Sequence, residues 1–267
     1  MCVPGLGFVA ADNHNGFYML AIHIVFTTKT IGQTLYVLYL CKKEILWNFV
    51  TDLETFLNKI LLCKCRIVEA RFVRKAQWWL VTFALFMVLC TATNVTIMFF
   101  PNDELQEFRK LSLLPLNTSK PGFYVLKVVL DMILLAGWFL PCAMTGTLIQ
   151  ALYYTFHEYY RYLEAQRNRG MCVRAHVKDV RMKFLELSAL CSKLDNMVSF
   201  LLMISYFGDL CLVCVILRLG IYTFHGLVAK LAIFSWIVAP IFTLLFLSRK
   251  AAQLFDKVNT TFGIPCG

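Results

Sequence analysis

Charge is what this sequence has least of. Only 16 % of its 267 residues are Asp, Glu, Lys or Arg, where a soluble domain carries about 25 %. Hydrophobic residues reach 59 % and the mean hydropathy is +0.66. A soluble globule and a disordered chain are excluded on that balance. The net charge of +10 does not form one basic stripe, so nucleic acid is not an expected partner. Catalytic signatures are missing as well. There is no G-x-S-x-G, P-loop or dinucleotide fingerprint. His157-Glu158 is followed by Arg161 where a zincin helix needs its second His. Cys63-x-Cys65 has no second pair at zinc spacing. Asp131 and Asp209 lack the Tyr-Asp and Gly-x-Gly-Asp settings of membrane proteases. No enzyme, metal site or cofactor is expected.

What is abundant is long apolar runs. Five stand out: Phe17–Leu40, Trp78–Phe100, Tyr124–Phe156, Met197–Gly220 and Leu227–Leu247. About 20 apolar residues span the roughly 30 Å hydrocarbon core, and all five reach that length. Backbone polar groups have no water to bond there, so runs that do not alternate are helices. The expected fold is an all-α polytopic membrane bundle of five helices. One domain covers residues 1–248, and 249–267 form a cytosolic tail.

Basic residues set the expected orientation. Eight lie in 41–77, eight in 157–196 and three in the tail, against Arg109, Lys110 and Lys120 on the other side. The positive-inside rule then puts the two basic loops and the C-terminus in the cytosol and the N-terminus outside, in a multi-pass plasma-membrane protein. The first residues, MCVPGLGFVA, lack the charged start of a signal peptide. Six of the eleven cysteines then face a reducing compartment, and Cys2 alone faces outward. Of three sequons, Asn94 is too close to the membrane and Asn259 is on the wrong side, which leaves Asn117 as the expected glycosylation site.

Helical spacing adds detail. The third run is roughly 50 Å long at 1.5 Å per residue, so its inner end projects beyond the bilayer, with a kink expected at Pro141. Phe184, Leu187, Cys191 and Leu194 carry the fourth helix back into the cytosol, and Ile45, Phe49, Leu53, Phe56 and Ile60 form a third apolar stripe there. A packed cytosolic helical layer follows. Charges within spans are expensive and default to functional hypotheses. Lys29 and Asp209 lie at similar depth and are placed to pair. Lys127 and Asp131 share a face at i, i+4, with Trp138 seven residues on. We read Lys127, Asp131 and Trp138, with His23 opposite, as the lining of an outward-facing ligand pocket. Snorkelling of Lys127 and a structural role for the ion pairs are the plainer alternatives.

The segment Leu185–Phe207 resembles the start of the fifth helix of arthropod gustatory receptors. Leu187, Leu190, Cys191, Asn196, Ser199 and Phe200 stand at the positions of that family's Leu-x-x-Leu-Cys, Asn and Ser-Phe pattern. The resemblance covers helices two to six. It implies a seven-helix chemoreceptor that works as a ligand-gated cation channel, a homo- or hetero-tetramer with related subunits, gated by a small-molecule tastant. The family's Thr-Tyr motif of helix seven is absent, and so is a first helix, so the chain is expected to be partial. A multi-pass carrier and a G-protein-coupled-type receptor are the rival classes. The first would show repeats or paired broken helices, the second the opposite sidedness.

Overall fold

In a computed structural model, residues 14–60, 65–99, 121–168, 173–222 and 227–262 are described. They form six helices: α1 His14–Lys42, α2 Ile45–Ile60, α3 Cys65–Phe99, α4 Pro121–Asn168, α5 Val173–Tyr222 and α6 Leu227–Phe262. No strand occurs among the described residues. The protein is an all-α polytopic membrane bundle.

Four helices are long and apolar enough to cross a membrane, over Gln77–Phe99, Gly122–Gln166, Val177–Tyr222 and Lys230–Asn259. The expected first span, Phe17–Leu40, is not among them. Its helix has the length, 29 residues, but its middle carries His23, Lys29, Thr30 and Gln33. Those groups do not face lipid. Lys29, Thr30 and Gln33 are buried at 3, 5 and 0 % exposure, so α1 lies within the bundle and turns its polar side to protein. Pro141, where a kink is expected, and Pro240 both sit inside helices. The stretch from residue 249, expected as a cytosolic tail, continues α6 as far as Phe262.

Length explains the two-storey build. α4 and α5 have 48 and 50 residues, roughly 70 Å each, more than twice the hydrocarbon thickness. Their surplus packs with α2 at the basic-loop end. There Phe49, Leu53, Phe56 and Ile60 of α2 turn one stripe onto Leu152, Phe156, Leu187 and Leu194. The spacing of four and three residues puts those side chains on one face, which is why a 16-residue helix can dock flat. Lys59 pairs with Glu186 at 3.1 Å and Lys193 pairs with Asp52 at the rim of that contact. The corner between α1 and α2 is a two-residue break closed by Glu44, whose φ of 56° is left-handed. The amide of Glu44 donates to the Cys41 carbonyl at 3.0 Å, and its own carbonyl accepts from Asn48 at 2.8 Å.

A second core fills the other storey. It joins Met19 and Ile22 of α1, Phe83 of α3, Trp138 and Phe139 of α4, Leu212 and Ile216 of α5, and Ile233, Ile237 and Phe246 of α6. Close approach between helices is made by glycine. A Cβ on Gly208 would stand 2.7 Å from the Lys29 Cδ, and one on Gly137 would stand 2.6 Å from the Thr30 Cγ2. Both contacts bring α1 hard against its neighbours at the level of its buried polar groups.

Candidate functional site

The cavity forms at the end of the bundle away from the basic loops. Its polar wall is built on α4, where Lys127, Asp131, Leu135 and Trp138 follow one another along one face. Lys127 and Asp131 pair within that face, their side chains only 12 and 13 % exposed. α1 adds Ile22, His23 and Phe26, α5 adds Leu212 and Ile216, α3 contributes Phe86, Cys90 and Asn94, and α6 closes the space with Ser235, Trp236 and Ala239. The cavity volume is about 170 Å³. His23, Lys127, Asp131 and Trp138, singled out from the sequence, therefore all line one cavity.

Trp138 is the hinge of the arrangement. It is 4 % exposed, and Phe26 meets its ring edge-on with centroids 5.0 Å apart. Its indole Nε1 has no acceptor among the described residues. The Lys29 ammonium lies 4.2 Å from the ring centroid, a cation–π contact. Lys29 also pairs with Asp209, and the other oxygen of that carboxylate accepts from Thr243 Oγ1 at 2.8 Å. Four helices, α1, α4, α5 and α6, thus meet at one buried charge cluster beneath the cavity. One turn further along α1, Gln33 Nε2 donates to Ser205 Oγ at 2.6 Å. Asp209 is fully buried, and its side chain is bonded by both the Lys29 ammonium and the Thr243 hydroxyl.

Two cavity residues escaped the sequence reading. Asn94, noticed only as a sequon, accepts from the Trp236 indole at 3.0 Å and so ties α3 to α6. An amide inside an apolar run was the available signal, because an unpaired one costs too much in hydrocarbon. Trp236 gave no signal of its own: an aromatic in an apolar run is unremarkable until its neighbour is known. Asn117 lies outside the described residues. Asn259 is exposed on α6. Lys250, expected in a tail, is 5 % exposed, bonds Gln150 and lies 4.4 Å above the Trp79 ring. Among the described residues no three His, Cys, Asp or Glu side chains gather as metal donors would.

The cavity thus lies between five helices of a polytopic bundle. Residues 144–258 match the family model described as Trehalose receptor, an insect gustatory receptor family. Over that stretch the chain is similar to the gustatory-receptor-like chemosensory receptors of that family. No curated protein gives a significant match. The matched stretch runs from the middle of α4 through α5 to the far part of α6. It contains Asp209, Trp236 and Thr243. His23, Lys29, Lys127, Asp131 and Trp138 lie before it.

Proposed function

We propose that this receptor binds a small-molecule tastant in the cavity bounded by His23, Lys127, Asp131 and Trp138. The observation that carries this reading is the convergence of those four side chains, from α1 and α4, on one cavity. Concave, largely apolar sites with a few fixed polar groups are where proteins hold small ligands. The matched family's description names trehalose, which makes small polar tastants one ligand class to test. On this reading α1 is a fifth span, the cavity end faces outward, and the basic loops and C-terminus are cytosolic at the plasma membrane, as the 19-to-3 split of basic residues supports. Family resemblance further supports a subunit of a ligand-gated cation channel, assembled as a homo- or hetero-tetramer with related subunits.

Two measurements test the reading. Glycosylation in microsomes should occur at Asn117 and not at Asn259; the reverse pattern would invert the bundle. Calcium imaging of cells that express the chain with related subunits should show a tastant response that Lys127→Met and Asp131→Asn reduce together. A response that both variants leave intact would remove the cavity as the ligand site.

A further inference from the structure

We infer that the cleft between α3, α4 and α6 at the basic end binds the headgroup of a membrane lipid that bears phosphomonoesters, a phosphorylated inositol on a diacyl anchor. The inference is separate from the tastant cavity and needs only that the bundle crosses a bilayer. Charge is the first argument. Arg249, Lys250 and Lys257 line the cleft against one acid, Asp256. The three cations stand at i, i+1 and i+8 on α6, which gathers them along one side. That surplus of positive charge suits a group with more than one negative charge, and a phosphomonoester carries about −1.5 to −2 at neutral pH. Aromatic faces hold two of the cations in place. Lys250 lies over the Trp79 ring, and the Lys257 ammonium is 4.5 Å from the centroid of Tyr160. Tyr153 and Gln253 add neutral hydrogen-bonding groups to the lining, which suit the hydroxyls of a ring polyol.

Depth is the second argument. Trp78 and Trp79 lie in the first turn of the α3 span, which starts at Gln77. Arg249 and Lys250 come about twenty residues, roughly 30 Å, after Lys230, where the α6 span starts. Both helices therefore bring the cleft to the level where hydrocarbon gives way to headgroups. Continuity with lipid is the third. From Trp78 an exposed apolar stripe of Val81, Leu85 and Val88 runs along α3 at spacings of three and four. Acyl chains beneath a headgroup in the cleft can lie on that stripe, which favours a lipid's phosphate over a solute's. Basic pockets between spanning helices hold phosphoinositide headgroups in this way.

The test titrates the whole chain in phosphatidylcholine nanodiscs, with empty nanodiscs as the blank. The probes are dioctanoyl phosphatidylinositol bisphosphate, dioctanoyl phosphatidylinositol and inositol trisphosphate. The bisphosphate lipid should bind saturably and about tenfold tighter than phosphatidylinositol, which shares its ring and anchor but lacks the monoesters. It should also bind about tenfold tighter than inositol trisphosphate, which lacks the chains. Arg249→Gln with Lys257→Gln should weaken it about 25-fold, about fivefold for each lost cation. Lys178→Gln with Arg181→Gln removes the same charge from exposed positions on α5, outside the cleft, and should leave binding unchanged. Should the cleft variant fold poorly, Arg249→Gln alone, at an exposed position, and the ranking of the probes on the wild type still decide the matter. Equal binding of the two lipids, or an equal loss in both double variants, would overturn the inference. Trisphosphate that binds as tightly as the lipid would make the ligand a soluble phosphate and overturn the lipid.

Discussion

The two ends of the bundle solve opposite problems. At one end, a cavity of about 170 Å³ sits between five helices, and its two charges cancel within one helix face. At the basic end a wider cleft of about 580 Å³ opens between α3, α4 and α6, edged by Arg249, Lys250, Lys257 and Asp256, with Trp78 and Trp79 beside them. The larger opening is edged by more charged side chains. Aromatic and cationic side chains of this kind sit where apolar spans meet headgroups, because each has an apolar body and a polar tip. Volume alone therefore misdirects the search for a tastant site. The smaller space differs in its lining, which five helices share and which is largely apolar.

The contrast should show most sharply in how each end breaks. Phe56 of α2 is 2 % exposed and packs against Tyr159 at 6.5 Å between centroids. Phe56→Ala should cost about 3–5 kcal/mol in the basic-end core, read as a lowered thermal transition in detergent, yet leave ligand affinity at the cavity end unchanged. A large loss of affinity in the folded variant would show that the storeys are coupled.

Next in size is the charge cluster beneath the cavity. Lys29→Met alone or Asp209→Leu alone strands a charge in the bundle and should cost about 3 kcal/mol in stability or surface expression. The double variant should recover most of it. Additive losses in that cycle would deny the pair an energetic role. Asn94→Ala is milder. It leaves the Trp236 indole without its acceptor and should cost about 1–3 kcal/mol. Retention of full stability would mean that water takes the amide's place. The smallest effect has the opposite sign. Glu44 holds a left-handed backbone that glycine adopts without strain, so Glu44→Gly should stabilise the α1–α2 corner by about 1 kcal/mol, a rise in the thermal transition.

Much of the scaffold was legible. The stripe Phe49, Leu53, Phe56 and Ile60 could be read from spacing because helical period alone decides which residues share a face. The same rule put Lys127, Asp131 and Trp138 on one side of α4 before any packing was known. Less legible was α1. Its apolar run reads as a span, yet Lys29, Thr30 and Gln33 keep its hydropathy low, and only neighbours that take up those groups make the helix at home in the bundle. The C-terminal stretch misled in the other direction. Charged residues after Leu247 suggested a tail, whereas Lys250 is absorbed by Gln150 and Trp79 and α6 runs on.

Sequence by itself determined where four long apolar helices run, the accumulation of basic residues in two loops, and the faces shared by the α2 stripe and by Lys127, Asp131 and Trp138. Those are local properties, set by residue type and a 3.6-residue period. Tertiary structure alone decided that Asp209 and Thr243 meet Lys29 under the Trp138 ring, that Asn94 closes the cavity with Trp236, and that the Trp138 indole is left without an acceptor among the described residues. Each of those contacts joins helices far apart in the chain. Their register depends on which side chains, and which glycines, let two helix surfaces approach. That choice is made by packing between whole surfaces, and no single segment carries it.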